Sequence, residues 1–295
     1  MRDAEILHRA MNNRRVSGPW RATMWRTRDG HVTWVFSEEH ENKGACGLEV
    51  QQTDLTSLVA EIIRDTKNVH VFLEHFVHAA DVQRTCTTSN STLQNLRGCL
   101  PKGPRIHYID PRTDLVAILP NGQILEAIVH YAHHLHSQHK DLELKLLLYE
   151  TFIHPLLSIV SPSGDSAVLE GRLNTVLQKY VANMTTAQMG FFRDKWSVDV
   201  IANIENVRRI YHECTTRLSN LPALLEAYTD TVNRFMDLWL LANFFVAENS
   251  GMTGSIIYAG SKHSLHFEKY LAEMRYELLE QFTNRDLSAC LALRY

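Results

Sequence analysis

The chain is 295 residues long, 45% hydrophobic and 21% charged, with a formal net charge of -3. This is ordinary globular composition, enough for one large core or two smaller ones. A near-neutral balance gives no electrostatic reason to expect nucleic acid or an anionic membrane as partner, and no apolar run approaches the ~18 residues of a membrane span.

The five cysteines are Cys46, Cys86, Cys99, Cys214 and Cys290, and no CxxC pair occurs. An odd number without that spacing argues against a disulfide scaffold or a zinc ribbon and suits a reducing compartment. No apolar stretch with a cleavage site follows Met1, so the expected location is the cytoplasm.

Residues 1–30 carry Arg14, Arg15, Arg21, Arg26 and Arg28 and read as a basic, poorly packed lead-in with a short helix before Gly18-Pro19. The β-branched and aromatic run from His31 to Phe36 predicts a strand, stopped by Ser37-Glu38-Glu39-His40. Leu55, Leu58, Val59, Ile62 and Ile63 recur at helical spacing behind the N-cap candidates Thr53 and Asp54. Val69 to Leu73 is a second strand, ended by Glu74. Strand, helix and strand in succession make a βαβ unit, which favours parallel pairing.

Residues 81–104 hold Thr, Ser, Asn, Gly and Pro and predict a long loop. Arg105 to Ile109 is a third strand, stopped by Asp110-Pro111-Arg112; Leu115 to Leu119 is a further short strand or buried turn. From Gln123 to about Glu248 the periodicity is helical, in segments near 123–138, 141–157, 166–186, 196–218 and 222–247. Ser255 to Ala259 returns as a late strand, and a last helix follows over about 264–282. The expected fold class is α/β: a mostly parallel sheet of about four to six strands, with residues 31–295 as one domain and a large helical insertion at about 123–248.

Four of these strands end in polar residues: Glu38 and His40, Glu74, Asp110 and Arg112 with His107 inside the strand, and His263. In open parallel sheets, functional side chains gather outside the carboxyl ends of the strands. The chemistry such a pocket supports is limited. A carboxylate beside an imidazole makes a general base that activates water. No GxSxG elbow signals a serine nucleophile, and Cys46, six residues past His40, reads better as a small buried thiol. Arg112 is suited to a two-point contact with a carboxylate. Glu38, His40, Glu74, His263 and Asp110 are also ligand types for a divalent metal, though no HExxH-type spacing places two on one element.

His75 and His78 stand at the rim after Glu74. His130, His133, His134, His136 and His139 share one predicted helix, where a solvated face and a metal-binding face are the two readings. No glycine pattern for phosphate binding is present.

At these residues the chain resembles the erythromycin esterase, TraB and ChaN-like superfamily. Ser37-Glu38-Glu39-His40 is similar to its Gly-Glu-x-His strand end, Leu73-Glu74 to its second strand with a site glutamate, and Tyr258-Ala259-Gly260-Ser261-Lys262-His263 to its late strand closing in Gly-x-x-His. The blocks Arg105 to Arg112 and Met236 to Ala242 are similar to segments of uncharacterised proteins of large double-stranded DNA viruses, which would put the chain in the host cytoplasm. The resemblance spans about residues 31–275. It implies an α/β fold with a polar cleft, in which Glu38 and His40 are the water-activating pair, Glu74 a second acid or metal ligand, and His263 a further site residue. Members include esterases, metal-dependent proteases and haem-iron-binding proteins. The chain departs at Ser37, where glycine is usual and permits positive φ.

The expectation is a hydrolase acting on an unknown small-molecule or peptide ester or amide. His40, Glu38, Glu74 and His263 form the catalytic set, His107, Asp110 and Arg112 position substrate or carboxylates, and a divalent metal is a candidate cofactor. The alternative is a non-catalytic binding or structural protein, viral in origin, that keeps a degenerate pocket.

Overall fold

The computed structural model describes residues 2–11, 14–27, 29–38, 53–74, 92–100, 103–110, 122–159, 180–215, 217–284 and 290–293. In chain order these form helix α1 (Arg2–Met11), strands β1 (Arg14–Ser17), β2 (Arg21–Arg26), β3 (Val32–Glu38) and β4 (Thr53–Asp54), helix α2 (Leu55–Asp65), β5 (Val69–Leu73), α3 (Thr92–Cys99) and β6 (Ile106–Tyr108). Helices follow: α4 (Gly122–Ser137), α5 (Asp141–Leu148), a π-helical turn (Tyr149–Ile153), α6 (His154–Ile159), α7 (Thr186–Lys195), a second π-helical turn (Trp196–Ile201), α8 (Ala202–Cys214), a 3-10 turn (Leu218–Asn220) and α9 (Leu221–Asn249). The chain then returns to β7 (Gly254–Gly260), α10 (Ser261–Glu273), β8 (Glu277–Thr283) and β9 (Cys290–Leu293).

Two compact units emerge. The first comprises Met1–Asp110 and Asn243–Tyr295, the second Pro111–Ala242. The first is α/β and holds a six-stranded mixed sheet in the order β6-β5-β7-β3-β2-β8, parallel from β6 to β3 and antiparallel from β3 to β8. It also holds a three-stranded sheet, β4-β1-β9.

β3 and β7 are buried along their whole length, because both faces of the sheet are covered. Covered parallel strands read as continuous apolar runs for that reason. One face carries Trp34, Phe36, Val71, Leu73, Ile256 and Tyr258 against Leu7 and Met11 of α1 and Leu55, Leu58, Val59 and Ile62 of α2, all at most 1% exposed. On the other face Phe72 meets Phe244 at 5.8 Å between ring centres, and Phe244 meets Phe267 of α10 at 5.4 Å.

The α2 start follows its sequence signature: Asp54 is the N-cap and accepts from the Ser57 N–H at 3.0 Å. The opening 30 residues are not a poorly packed lead-in. Leu7, Met11, Val16, Ala22 and Met24 are buried in the core, and β2 pairs with β3 over six residues from Arg21 to Arg26. The arginines at its ends mask an antiparallel strand whose centre, Ala22 to Trp25, is apolar or paired.

The last helix is also shorter than its pattern suggests. It ends at Glu273, and Glu277–Thr283 form the sheet-edge strand β8 on β2. Cys99 is disulfide-bonded, and Cys214 is a buried free thiol.

The second unit is helical in its described residues. Aromatic edges hold it together: Phe152 on Tyr228 at 5.3 Å and Trp196 on Phe235 at 5.8 Å. Thr185 and Gln188 form a capping box at the start of α7. Among the described residues no helix is long and apolar enough to cross a membrane.

Candidate functional site

Strand order explains the site. β7 lies between β5 and β3 and runs parallel to both, so the residues that close β5 and β3 flank the end of β7. Glu38 pairs in register with Gly260. Glu74, one residue past β5, donates its backbone N–H to the Tyr258 carbonyl at 3.0 Å. Glu38, Glu74 and His263 are each no more than 9% exposed. The site therefore gathers residues from positions 38, 74, 258, 260 and 263 at one strand edge.

Both carboxylate oxygens of Glu74 have neighbours. Its Oε2 accepts from the Gly260 backbone N–H at 2.6 Å, and its Oε1 lies 3.7 Å from Nε2 of His263. Gly260 is the N-cap of α10 and offers no side chain to it. The carboxylate thus stands where a helix N-terminus favours negative charge. At 3.7 Å the imidazole is beyond direct hydrogen-bond reach but within ion-pair range of the carboxylate.

Glu38 is held differently. The Tyr258 phenol donates to its Oε2. Burial, and then the negative charge of Glu38, push the Tyr258 pKa well above its ordinary value, so the phenol stays a donor. The Glu38 carbonyl accepts from Oγ of Ser261 at 3.1 Å, and Ser261 Oγ accepts in turn from Nε1 of Trp20 at 2.9 Å. Tyr258 therefore holds Glu38 through its phenol and Glu74 through its carbonyl.

Ser37 is extended backbone in β3, paired with Ala259, and its hydroxyl lies 2.6 Å from that of Ser264. A regular strand residue has no need of positive φ. The serine is accommodated by a hydroxyl partner on α10.

The other candidates fall differently. Asp110 is 3% exposed, two residues past β6. His40 and Arg112 lie outside the described residues, as do His75, His78 and Cys46. Among the described residues, the contacts of His107 are with His70 and Phe72. Its Nε2 lies 2.9 Å from Nδ1 of His70, and its ring stacks on Phe72 at 4.6 Å. The two imidazoles are within 13° of coplanar with centres 5.2 Å apart. A 2.9 Å nitrogen contact plus one centre-to-atom radius from each ring accounts for that spacing, so the rings meet end to end. One N–H donates to the bare nitrogen of the other, and the two tautomers are coupled.

Burial first, then the charge of Arg105 for His70 and the neighbouring imidazole for His107, lower both pKa values to about 4. In the unfolded chain both groups titrate near 6.5. Between these values the unfolded state takes up protons that the folded state refuses, so stability falls as pH drops from about 6.5 to about 4 and levels off below. We expect a loss of roughly 2–3 kcal/mol for the pair after discounting for partial exposure. Urea midpoints at pH 7 and pH 4.5 measure it. A His70→Gln/His107→Gln variant should lose that part of the pH dependence; an unchanged pH profile would refute the assignment.

Sequence reasoning did not single out Tyr258, Ser261 or the Gly260 N–H. The signal for Tyr258 was its period-two phase with Ile256 and Gly260 along β7, which sets it on the same face as Glu38. Among the described residues no group of three or more His, Cys, Asp or Glu side chains is arranged to hold a metal ion.

No protein-family model matches the sequence, no curated protein is detectably similar to it, and no solved structure matches it.

Proposed function

We propose that the strand-end site built around Glu38, Glu74 and His263 hydrolyses an ester or amide of a small molecule or peptide with an activated water. One observation carries the reading: buried Glu74 sits 3.7 Å from His263 while its second oxygen is fixed by the Gly260 N–H. A carboxylate so anchored orients the imidazole and offers a counter-charge to the imidazolium that forms during proton transfer. In the proposed step, imidazole takes a proton from water and the hydroxide oxygen adds to the carbonyl carbon. The imidazolium then returns the proton to the leaving oxygen or nitrogen as the acyl bond breaks. His40, two residues beyond Glu38, is the second imidazole of this proposal, and Arg112 and Asp110 are its positioning groups. The resemblance to the erythromycin esterase, TraB and ChaN-like superfamily implies the same class of site, with Glu38 and His40 as its water-activating pair and Glu74 and His263 as further site residues.

A second reading has its own observation. Both carboxylates already have partners inside the fold, Glu38 through Tyr258 and Glu74 through the start of α10. A binding or structural protein, viral in origin, that retained the pocket as scaffold would keep those contacts without turnover.

The experiment is a broad panel of chromogenic esters and peptide amides, run with and without added Mn²⁺, Co²⁺ or Zn²⁺. The hydrolytic reading expects turnover of at least one class. No turnover under any condition would favour the scaffold reading.

A further inference from the structure

We propose that the exposed face of α4 in the second unit is a binding site for a borderline divalent cation, Cu²⁺, Ni²⁺ or Zn²⁺, held by the imidazoles of His130 and His134. The proposal is separate from the strand-end pocket and shares no residue with it.

α4 runs unbroken from Gly122 to Ser137, and Ala132 and Leu135, 0% and 2% exposed, fix which side faces inward. His130, His133, His134 and His136 are all exposed. Residues four apart on a helix stand one above the other, with Cβ atoms about 5–6 Å apart. That span lets two imidazoles close on one ion, the same i,i+4 geometry by which a single helix supplies both histidines of a zinc site. Only His130 and His134 have this spacing among the α4 histidines. His133 lies one position before His134 and three after His130, at the edge of the same face, and His136 is turned roughly 120° away from His130 at 100° per residue.

Two further features favour a cation there. Glu126, exposed and one turn before His130, brings a negative charge to the same ridge. His134 lies in the last turn of α4, where the carbonyl end of the helix dipole attracts positive charge. Imidazole donors select Cu²⁺, Ni²⁺ and Zn²⁺ over Mg²⁺ and Ca²⁺, which prefer oxygen. Nε2 of His134 lies 3.0 Å from the Gln138 amide nitrogen, in an exposed contact that an arriving ion displaces. No group of three or more ligand side chains gathers among the described residues, and the proposal assigns the remaining coordination positions to water. The ion is therefore exchangeable.

The test is calorimetric titration of the untagged full chain with NiCl₂ alone and with ZnCl₂ alone, for the parent and for His130→Ala, His134→Ala, the double variant and His136→Ala. Alanine is the strongest helix former, and far-ultraviolet circular dichroism checks that each variant keeps its helix content. The parent should bind one equivalent that is lost in His130→Ala, in His134→Ala and in the double variant, and kept in His136→Ala. In parallel, Cu²⁺ should broaden the imidazole proton signals of His130 and His134 before those of His136. If the double variant binds as many equivalents as the parent with the same affinity, or if His136→Ala loses the equivalent too, the site is not there.

Discussion

Replacing Glu74 by glutamine should lower hydrolysis of any substrate found by the panel by about 10²–10⁴-fold while leaving the melting temperature nearly unchanged. The argument lies in what glutamine keeps. Its amide oxygen can still accept the Gly260 N–H that Glu74 holds at 2.6 Å, so the start of α10 remains satisfied. The charge 3.7 Å from His263 is gone, and with it the stabilisation of an imidazolium in the proton-transfer step. A purely structural Glu74 predicts the opposite pattern, near-full function with the cap preserved. Comparing kcat/KM and thermal melting for the parent, Glu74→Gln and Glu74→Ala separates the two. Equal turnover by the parent and Glu74→Gln would remove the carboxylate from the chemistry.

The second large effect concerns stability. Arg21 on β2 and Glu268 on α10 form a two-point ion pair, Nη1 to Oε1 at 2.5 Å and Nη2 to Oε2 at 2.7 Å. Their side chains are 9% and 8% exposed. Thr23 also donates to Glu268, at 2.8 Å, and accepts from Nε1 of Trp25 at 2.9 Å. Glu268→Ala leaves a buried guanidinium with no counter-charge and should cost about 3–5 kcal/mol, because removing one partner strands the other out of water. For a unit of this size that is a fall in melting temperature on the order of 10 °C. The double variant Arg21→Met/Glu268→Leu should recover most of the loss, since it removes both charges and keeps the volume. A Glu268→Ala shift below about 2 °C would mean that the pair contributes little.

The parts of this fold that could be read from the sequence are those whose burial is local. HVTWVF, VHVFL and SIIYA stand out because both faces of the inner strands are covered, so their apolar runs are nearly continuous. α2 stands out by its period and its cap. β2 and β8 do not. RATMWR carries an arginine at each end, one of them the buried partner of a glutamate 247 positions away. ELLEQFT is an edge strand with mostly exposed or half-buried side chains, and its pattern equally suits the end of a helix.

The site divides the same way. That Glu38, Glu74 and His263 follow strands is visible in one dimension. That β7 lies between β3 and β5, making Gly260 the common neighbour of both acids, is a pairing choice across about two hundred residues. His107 shows the converse: its place in a strand is legible, but its partner His70 on the next strand is not, because register decides it.

The central position of β7 also has a kinetic consequence. β3 and β5 are made early, yet the strand that joins them begins at Gly254, after Pro111–Ala242 has been synthesised. At ordinary ribosomal speeds, roughly 5–20 residues per second, the edges of β3 and β5 that β7 will occupy wait on the order of 10–40 s. Open strand edges are templates for pairing with other chains. During translation the nascent first unit is accordingly the aggregation-prone part of the molecule, and chaperone demand should peak just before Gly254 leaves the ribosome.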